Sequence, residues 1–287
     1  MAFDPQALPA LRGVIARHGL SARKALGQHF LLDANLTGRI ARAAGDLSDG
    51  TTIEIGPGPG GLTRALLAAG AGRLVVLEKD RRCLDALAEL AAAAGGRLEV
   101  LEADALERPT AGLGDPPRRI VANLPYNVST PLLLGWLREI YADPASYEAL
   151  TLMFQKEVAQ RLAARPREGA YGRLSVVTSW LTEVELLFDI RPQAFTPPPK
   201  VTSTLVRLTP RPVPACEASW EALEAVTAAA FGQRRKMLRQ SLKRLGADTP
   251  ALIAGAGVEE TRRAEELDLA QFCALARALQ GQRAEDR

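Results

Sequence analysis

The chain has 287 residues, enough for one large and one small domain at about 150 residues each. Hydrophobic residues make up 47% and no stretch is of low complexity, which excludes wholesale disorder, while a net charge of +3 is too small to indicate a nucleic-acid partner by itself. Cys83, Cys216 and Cys273 are far apart, lack metal-ligand spacing and are odd in number, which argues against a disulfide framework and fits a reducing cytoplasm.

Met1 to Leu11 is interrupted by Pro5 and Pro9 and has no basic start, so it does not read as a secretory signal. Leu11 to Leu32 carries Arg12, Arg17, Arg23 and Lys24 without a carboxylate, a solvated face on composition alone. From Thr51 to Thr209 short apolar runs alternate with Ala- and Leu-rich helical patterns, the signature of βα units. Strands are expected at Thr51 to Ile55, Leu74 to Leu77, Leu98 to Leu101, Arg119 to Ala122, Leu150 to Phe154, Val184 to Phe188 and Val201 to Leu208. Arg191 to Lys200, between the last two, is too short and proline-rich for a helical crossover, so these strands should pair antiparallel. The expected fold is α/β, a Rossmann-like seven-stranded, mainly parallel sheet with an antiparallel last strand.

The first strand runs into Gly56-Pro-Gly58-Pro-Gly60-Gly61, where glycines permit positive φ and close approach of a ligand. Gly56, Gly58 and Gly61 also satisfy G-x-G-x-x-G, so a dinucleotide enzyme is a rival. Glu78 stands where an acid accepts hydrogen bonds from ribose hydroxyls, which suits either cofactor. Glu54 and Asp104 shift the balance, because carboxylates repel pyrophosphate and attract the sulfonium and ammonium of S-adenosylmethionine. Glu54 either bonds to the glycine-loop amides or touches the cofactor, and both readings stay open. Asp104 reads as acceptor from the cofactor's adenine amino group in preference to a helix N-cap.

After the fourth strand comes Asn123-Leu124-Pro125-Tyr126-Asn127-Val128-Ser129-Thr130-Pro131. An adenine N6 lone pair is delocalised into the ring and must be drawn out by acceptors. The Asn123 amide oxygen and a carbonyl at Leu124 or Pro125 can each take one N6 hydrogen, while Tyr126 can stack on an extruded base. Thr130 is expected to cap a helix with Pro131 in its first turn. The prolines and asparagines of Ile120 to Leu137, the longest uncharged stretch, make it unsuitable as a lipid-spanning helix.

Pro210, Pro212 and Pro214 mark a linker, which divides the chain into a domain of residues 1–212 and a helical one of 213–287. Trp220 to Phe231, Arg234 to Leu245 and Asp268 to Leu279 read as helices. Phe231, Leu238, Leu242 and Leu245 should form one buried stripe on the basic segment, with Lys236, Arg239 and Lys243 opposite. With Arg234 and Arg235 they form a candidate RNA-binding face, since Ala225 to Ala247 contains no carboxylate.

These motifs resemble the ribosomal RNA adenine dimethyltransferase family, on its small-subunit branch. Further matching segments are Leu26-Gly-Gln-His-Phe-Leu-Leu-Asp33, Phe154-Gln-Lys-Glu-Val158, Tyr171-Gly-Arg-Leu-Ser175, Phe195-Thr-Pro-Pro-Pro-Lys-Val-Thr-Ser203 and Phe231-Gly-Gln-Arg-Arg-Lys-Met-Leu238. The resemblance implies methyl transfer from S-adenosylmethionine to N6 of two neighbouring adenines in the terminal hairpin of small-subunit rRNA, within the assembling subunit. It implies cofactor contacts from His29 and Leu31, joining Gly56, Gly58, Glu78, Asp104 and Asn123. Many relatives have Asn where His29 stands. Phe195 would face the target base opposite Tyr126. No metal or membrane partner is expected, and the protein should be a cytoplasmic monomer. The large-subunit branch that confers macrolide resistance shares the catalytic motif, but Phe195 to Ser203 and the C-terminal domain argue against it.

Overall fold

Short stretches rich in apolar residues, too short for helices, build the central sheet, and those at Thr51–Ile55 and Leu74–Glu78 are buried throughout. The computed structural model describes residues 3–23 and 27–285; Lys24 of the basic stretch and Leu26 of the Leu26–Asp33 segment lie outside them. The chain divides into two compact units. The first comprises the described residues up to Ala159 with Glu185–Pro210, and the second Gln160–Val184 with Arg211 onward.

In the first unit, β1 (Phe30–Leu31) precedes β2 (Thr51–Ile55), β3 (Leu74–Glu78), β4 (Leu98–Glu102), β5 (Arg118–Ala122) and β6 (Ala149–Gln155). They are followed by β7 (Thr182–Ile190), β8 (Phe195–Thr196) and β9 (Ser203–Pro210). Seven of these form one sheet in the order β4-β3-β2-β5-β6-β9-β7. The pairs β2–β3, β2–β5, β3–β4 and β5–β6 are parallel, whereas β9 runs antiparallel to β6, as expected of a sheet closing on a reversed strand. Every residue of β2 and β3 is buried, the pattern of parallel strands covered on both faces. The helices of this unit are α1 (Leu11–Arg17), α2 (Ala34–Ala43), α3 (Gly61–Ala68), α4 (Leu84–Ala93) and α5 (Tyr126–Ala142), while α6 (Lys156–Ala163) is shared between the two units.

A second, two-stranded sheet was not foreseen. It pairs β1 with β8 antiparallel, Phe30 opposite Thr196 and Leu31 opposite Phe195. The start of α5 also differs from expectation. Pro125 is its N-cap and Pro131 lies inside it, so Thr130 caps nothing. The φ of −58° imposed on Pro125 launches the helix five residues before Thr130 would.

The second unit is helical apart from its share of β7: α7 (Arg173–Leu181), α8 (Trp220–Gly232), α9 (Leu238–Ser241), α10 (Thr249–Gly255) and α11 (Leu269–Glu285). Its apolar centre includes Trp180 beside Trp220 and Phe231 stacked on Phe272. The helix expected over Arg234 to Leu245 is broken. Residues 233–237 are non-helical, because Met237 bridges Arg263 and the Leu238 N–H is taken by the Arg262 carbonyl. Leu238 and Leu242 are buried as the stripe required, while Phe231 and Leu245 are only partly so. Cys216 and Cys273, 57 residues apart, are joined in a disulfide, which corrects the expectation of unpaired cysteines; Cys83 is free and buried. No helix among the described residues is long and apolar enough to cross a membrane.

Candidate active site

A cavity of about 270 Å³ opens at the carboxyl ends of β2, β3, β4 and β5, where open α/β sheets bind ligands. Its floor is the glycine loop. Gly56 and Gly58 have φ of 65° and 55°, and a Cβ on Gly58 would stand 3.2 Å from the Phe30 ring. A side chain there would push away the N-terminal segment that covers the loop.

The two acids of this floor divide their roles. Glu78 accepts from the Gly58 N–H (2.9 Å) with one oxygen and from the Asp80 N–H (2.7 Å) with the other. Burial raises its pKa, and these amides oppose the rise. Glu54, 2% exposed, takes no glycine-loop amide among the described hydrogen bonds, and its Oε2 has no partner. Burial pushes its pKa up to about 8, and the Glu78 charge adds to this. The Thr63 hydroxyl opposes the shift and, like Glu54 Oε2, meets no full hydrogen-bond geometry among the described residues. Glu54 lines the cavity, and a cationic group bound there would offset the otherwise uncompensated desolvation of its orphaned oxygen. The ammonium and sulfonium of S-adenosylmethionine fit that requirement; pyrophosphate does not.

Asp104 opens a turn and no helix. Its Oδ1 accepts from the Leu106 N–H (3.0 Å) and its Oδ2 pairs with Lys79 Nζ (2.5 Å), which lowers its pKa. Asn123 Nδ2 donates to the His29 carbonyl at 2.9 Å. A carbonyl can only accept, so the amide orientation is fixed and Oδ1 is the atom left to accept. Tyr126 shares a hydrogen bond of 2.6 Å with Ser203 Oγ.

Asn123, Leu124, Pro125 and Tyr126 line the same cavity as His29, Leu31, Glu54, Gly56, Gly58, Glu78 and Asp104. Phe195 does not. It is 2% exposed and packed in the core beside Leu31 and Ile190, because register with Leu31 turns its ring inward. The sandwich expected between Tyr126 and Phe195 is therefore absent. The ring that stands near Tyr126 is His29, with centroids 5.5 Å apart, and His29 also meets Phe195 edge-on at 6.3 Å. Its Nδ1 lies 2.7 Å from the Pro197 carbonyl and must donate to it.

Sequence reasoning missed Asp80. This buried carboxylate accepts from Gln28 Nε2 (3.0 Å) and Arg82 Nη2 (2.5 Å), tying the N-terminal cover to the end of β3. The Arg82 guanidinium holds its pKa down at about 2. Gln28 lay within a recognised motif, but nothing marked Asp80 as its partner.

The candidate RNA-binding residues all lie in the second unit. The premise that they lack neutralising carboxylates is corrected for two of them. Arg234 pairs with Glu265 (2.9 Å) and Arg239 with Glu260 (3.2 Å), acids distant in sequence. Arg235, Lys236 and Lys243 are exposed, with no ion pair among the described residues. No group of acids, histidines and cysteines able to hold a metal occurs among the described residues.

The sheet order, the reversed strand and a cavity suited to a sulfonium cofactor define an S-adenosylmethionine-dependent methyltransferase with a Rossmann-like fold. The family described as ribosomal RNA adenine dimethylase matches residues 19–281, and the chain belongs to it. The chain is 63% identical over 272 residues to ribosomal RNA small subunit methyltransferase A of Rhodospirillum rubrum, covering 95% of this chain and 93% of that one. Its counterpart in Paramagnetospirillum magneticum is 62% identical over 272 residues, 95% of each chain. Among solved structures, the 23S rRNA methyltransferase ErmE superposes with a TM-score of 0.64 at 28% identity, over 88% of this chain and 99% of that one. A dimethyladenosine transferase from Plasmodium falciparum shares the fold, with a TM-score of 0.72 at 24% identity over 88% and 98%.

Proposed function

We propose that this protein converts two adjacent adenines of the 3′-terminal hairpin of small-subunit (16S) rRNA to N6,N6-dimethyladenosine during subunit maturation. Relatives about equally long and 57–63% identical are named small-subunit methyltransferases, which supports that branch over the large-subunit one. The observation that carries the chemistry is the oriented Asn123 amide, whose free Oδ1 is an acceptor fixed before substrate arrives.

S-adenosylmethionine, when bound, supplies an electrophilic methyl carbon. Glu78 would hold ribose hydroxyls with lone pairs its two amides leave unused, Asp104 would take the adenine amino group, and Glu54 would face the cationic end. Gly56 and Gly58 leave room for the cofactor, and His29 and Leu31 cover it. Asn123 Oδ1 and the carbonyl of Leu124 or Pro125 each accept one N6 hydrogen, turning the lone pair toward the methyl carbon. Tyr126, held by Ser203, stacks on the base. Orientation does most of the catalytic work, since the alkylated nitrogen is acidic and loses its proton readily.

We assign chemistry to residues 1–212 and RNA holding to 213–287, in a monomer acting in the cytoplasm. The test is mass spectrometry of RNA digests after incubation with cofactor and undermethylated small or large subunits. Dimethyladenosine in the small-subunit hairpin alone is the expected result; modification of large-subunit RNA would overturn the assignment.

A further inference from the structure

Arg234 does not present its charge to solvent as a free ligand would. Its Nε donates to Glu265 Oε2 (2.9 Å) and its Nη2 to the backbone carbonyl of Gly169 (2.9 Å). Glu265 in turn accepts, through its own carbonyl, from the N–H of Arg167 (2.8 Å). The Arg234–Glu265 pair thus clasps the backbone of the Arg165–Gly169 loop at two points. The loop carries a further anomaly. Arg167 has a φ of 73°, the one non-glycine residue with positive φ among those described. That conformation is unfavourable for a side chain with a Cβ and is tolerated where surrounding contacts enforce it, often at a working site.

What the clasp enforces is a display of charge. Arg165 and Arg167 are exposed and have no ion pair among the described residues. The nearest acid in sequence, Glu168, is occupied with the Arg165 N–H (2.9 Å). On the other side of the clasp, Arg234 is followed directly by the exposed Arg235 and Lys236. The clasp therefore joins two runs of unneutralised cations that are about 70 residues apart in sequence.

We propose that the Arg165–Gly169 loop is an RNA-phosphate-binding arm, continuous with Arg235 and Lys236, and that Arg234 and Glu265 are its positioning residues. This rests on the ribosomal RNA reading above and extends the footprint to a segment outside residues 213–287. Guanidinium groups without a neighbouring carboxylate suit phosphate oxygens, which they bind in forked pairs.

The test measures binding to undermethylated small subunits across a salt series for the parent, R165Q/R167Q, and a control, R42Q/R283Q, which removes two exposed charges elsewhere. The loop variant should bind roughly tenfold more weakly and lose about two units of log–log salt slope, one per phosphate contact. The control should lose neither, and cofactor affinity by calorimetry should be unchanged in both. Arg167→Gly serves where the double variant folds poorly. Glycine adopts positive φ freely, so this variant should melt no lower than the parent yet lose about one unit of slope. Unchanged affinity and slope in R165Q/R167Q, or an equal loss in the control, overturns the arm. A parent that shows no salt-dependent binding to small subunits overturns the ribosomal reading itself.

Discussion

Asn123 and His29 are 94 residues apart in the chain, and one hydrogen bond of 2.9 Å joins the amide of the first to the carbonyl of the second. The N-terminal cover therefore also sets the orientation of the Asn123 amide, the acceptor proposed for the substrate. Asn123→Ala should lower single-turnover methyl transfer by about 10²–10³, the range for removing one fixed polar group at a reacting centre. Cofactor affinity, read by calorimetry, should fall by much less. Near-normal transfer in the variant would remove Asn123 from the chemistry.

Glu78→Ala should act on the cofactor instead. Charged-acceptor hydrogen bonds contribute about 1.5–3 kcal/mol each, so affinity should drop roughly ten- to a hundredfold. The variant also strands the Gly58 and Asp80 amides, so its melting temperature should fall. Unchanged affinity in a folded variant would place the ribose elsewhere.

Glu54 makes stability depend on pH with an unusual sign. Its folded pKa, near 8, is above the ordinary 4.5, so the folded state holds the extra proton. Stability from this group is fully present below about 4.5, declines as pH rises toward 8, and changes no further above that. Denaturation across that window should show the decline in the parent and lose it in Glu54→Gln, which should be more stable than the parent at pH 8 and bind cofactor more weakly. Asp80, held near 2, has the opposite sign: its contribution is present above about 3.8 and disappears as pH falls through 2. A parent profile flat between pH 5 and 8 would show that Glu54 is ionised in the free protein.

The proposed stacking role of Tyr126 uses only its ring, so Tyr126→Phe should keep most of the RNA affinity while Tyr126→Ala loses about 1–3 kcal/mol, the value of one base stack. Ser203→Ala removes the partner of the Tyr126 hydroxyl and should raise KM for RNA only a few-fold, as Tyr126→Phe does. Equal behaviour of the Phe and Ala variants in binding assays would argue that no base stacks there.

The parallel strands were legible because β2, β3 and β5 are five-residue stretches built around β-branched and apolar residues and followed or ended by glycine, acid or asparagine, too short for helices. That Asn123 to Tyr126 would line a cavity was legible because the motif directly follows a strand of the parallel sheet. The division of labour between Glu54 and Glu78 was not, since it depends on which carboxylate the β2–β3 register brings under Gly58. Strands of two residues, such as β1 and β8, carry no periodicity. The partners of Arg234 and Arg239 lie 31 and 21 residues away, beyond any helical spacing, so a segment without acids looked bare when it was not. Phe195 followed its motif in sequence and its strand register in space, and the register prevailed.

The pairing of Phe30–Leu31 with Phe195–Thr196 also orders events at synthesis. The glycine loop and the strands before it leave the ribosome early, yet their cover has no partner strand until more than half of the chain has followed. Ser203, which shares a hydrogen bond with the Tyr126 hydroxyl, emerges later still. Because domains fold as units once their sequence is complete, a nascent chain that already holds the residues of the pocket floor still lacks those that close it. Closure of the pocket thus waits until Ser203, nearly three-quarters of the way along the chain, has been made.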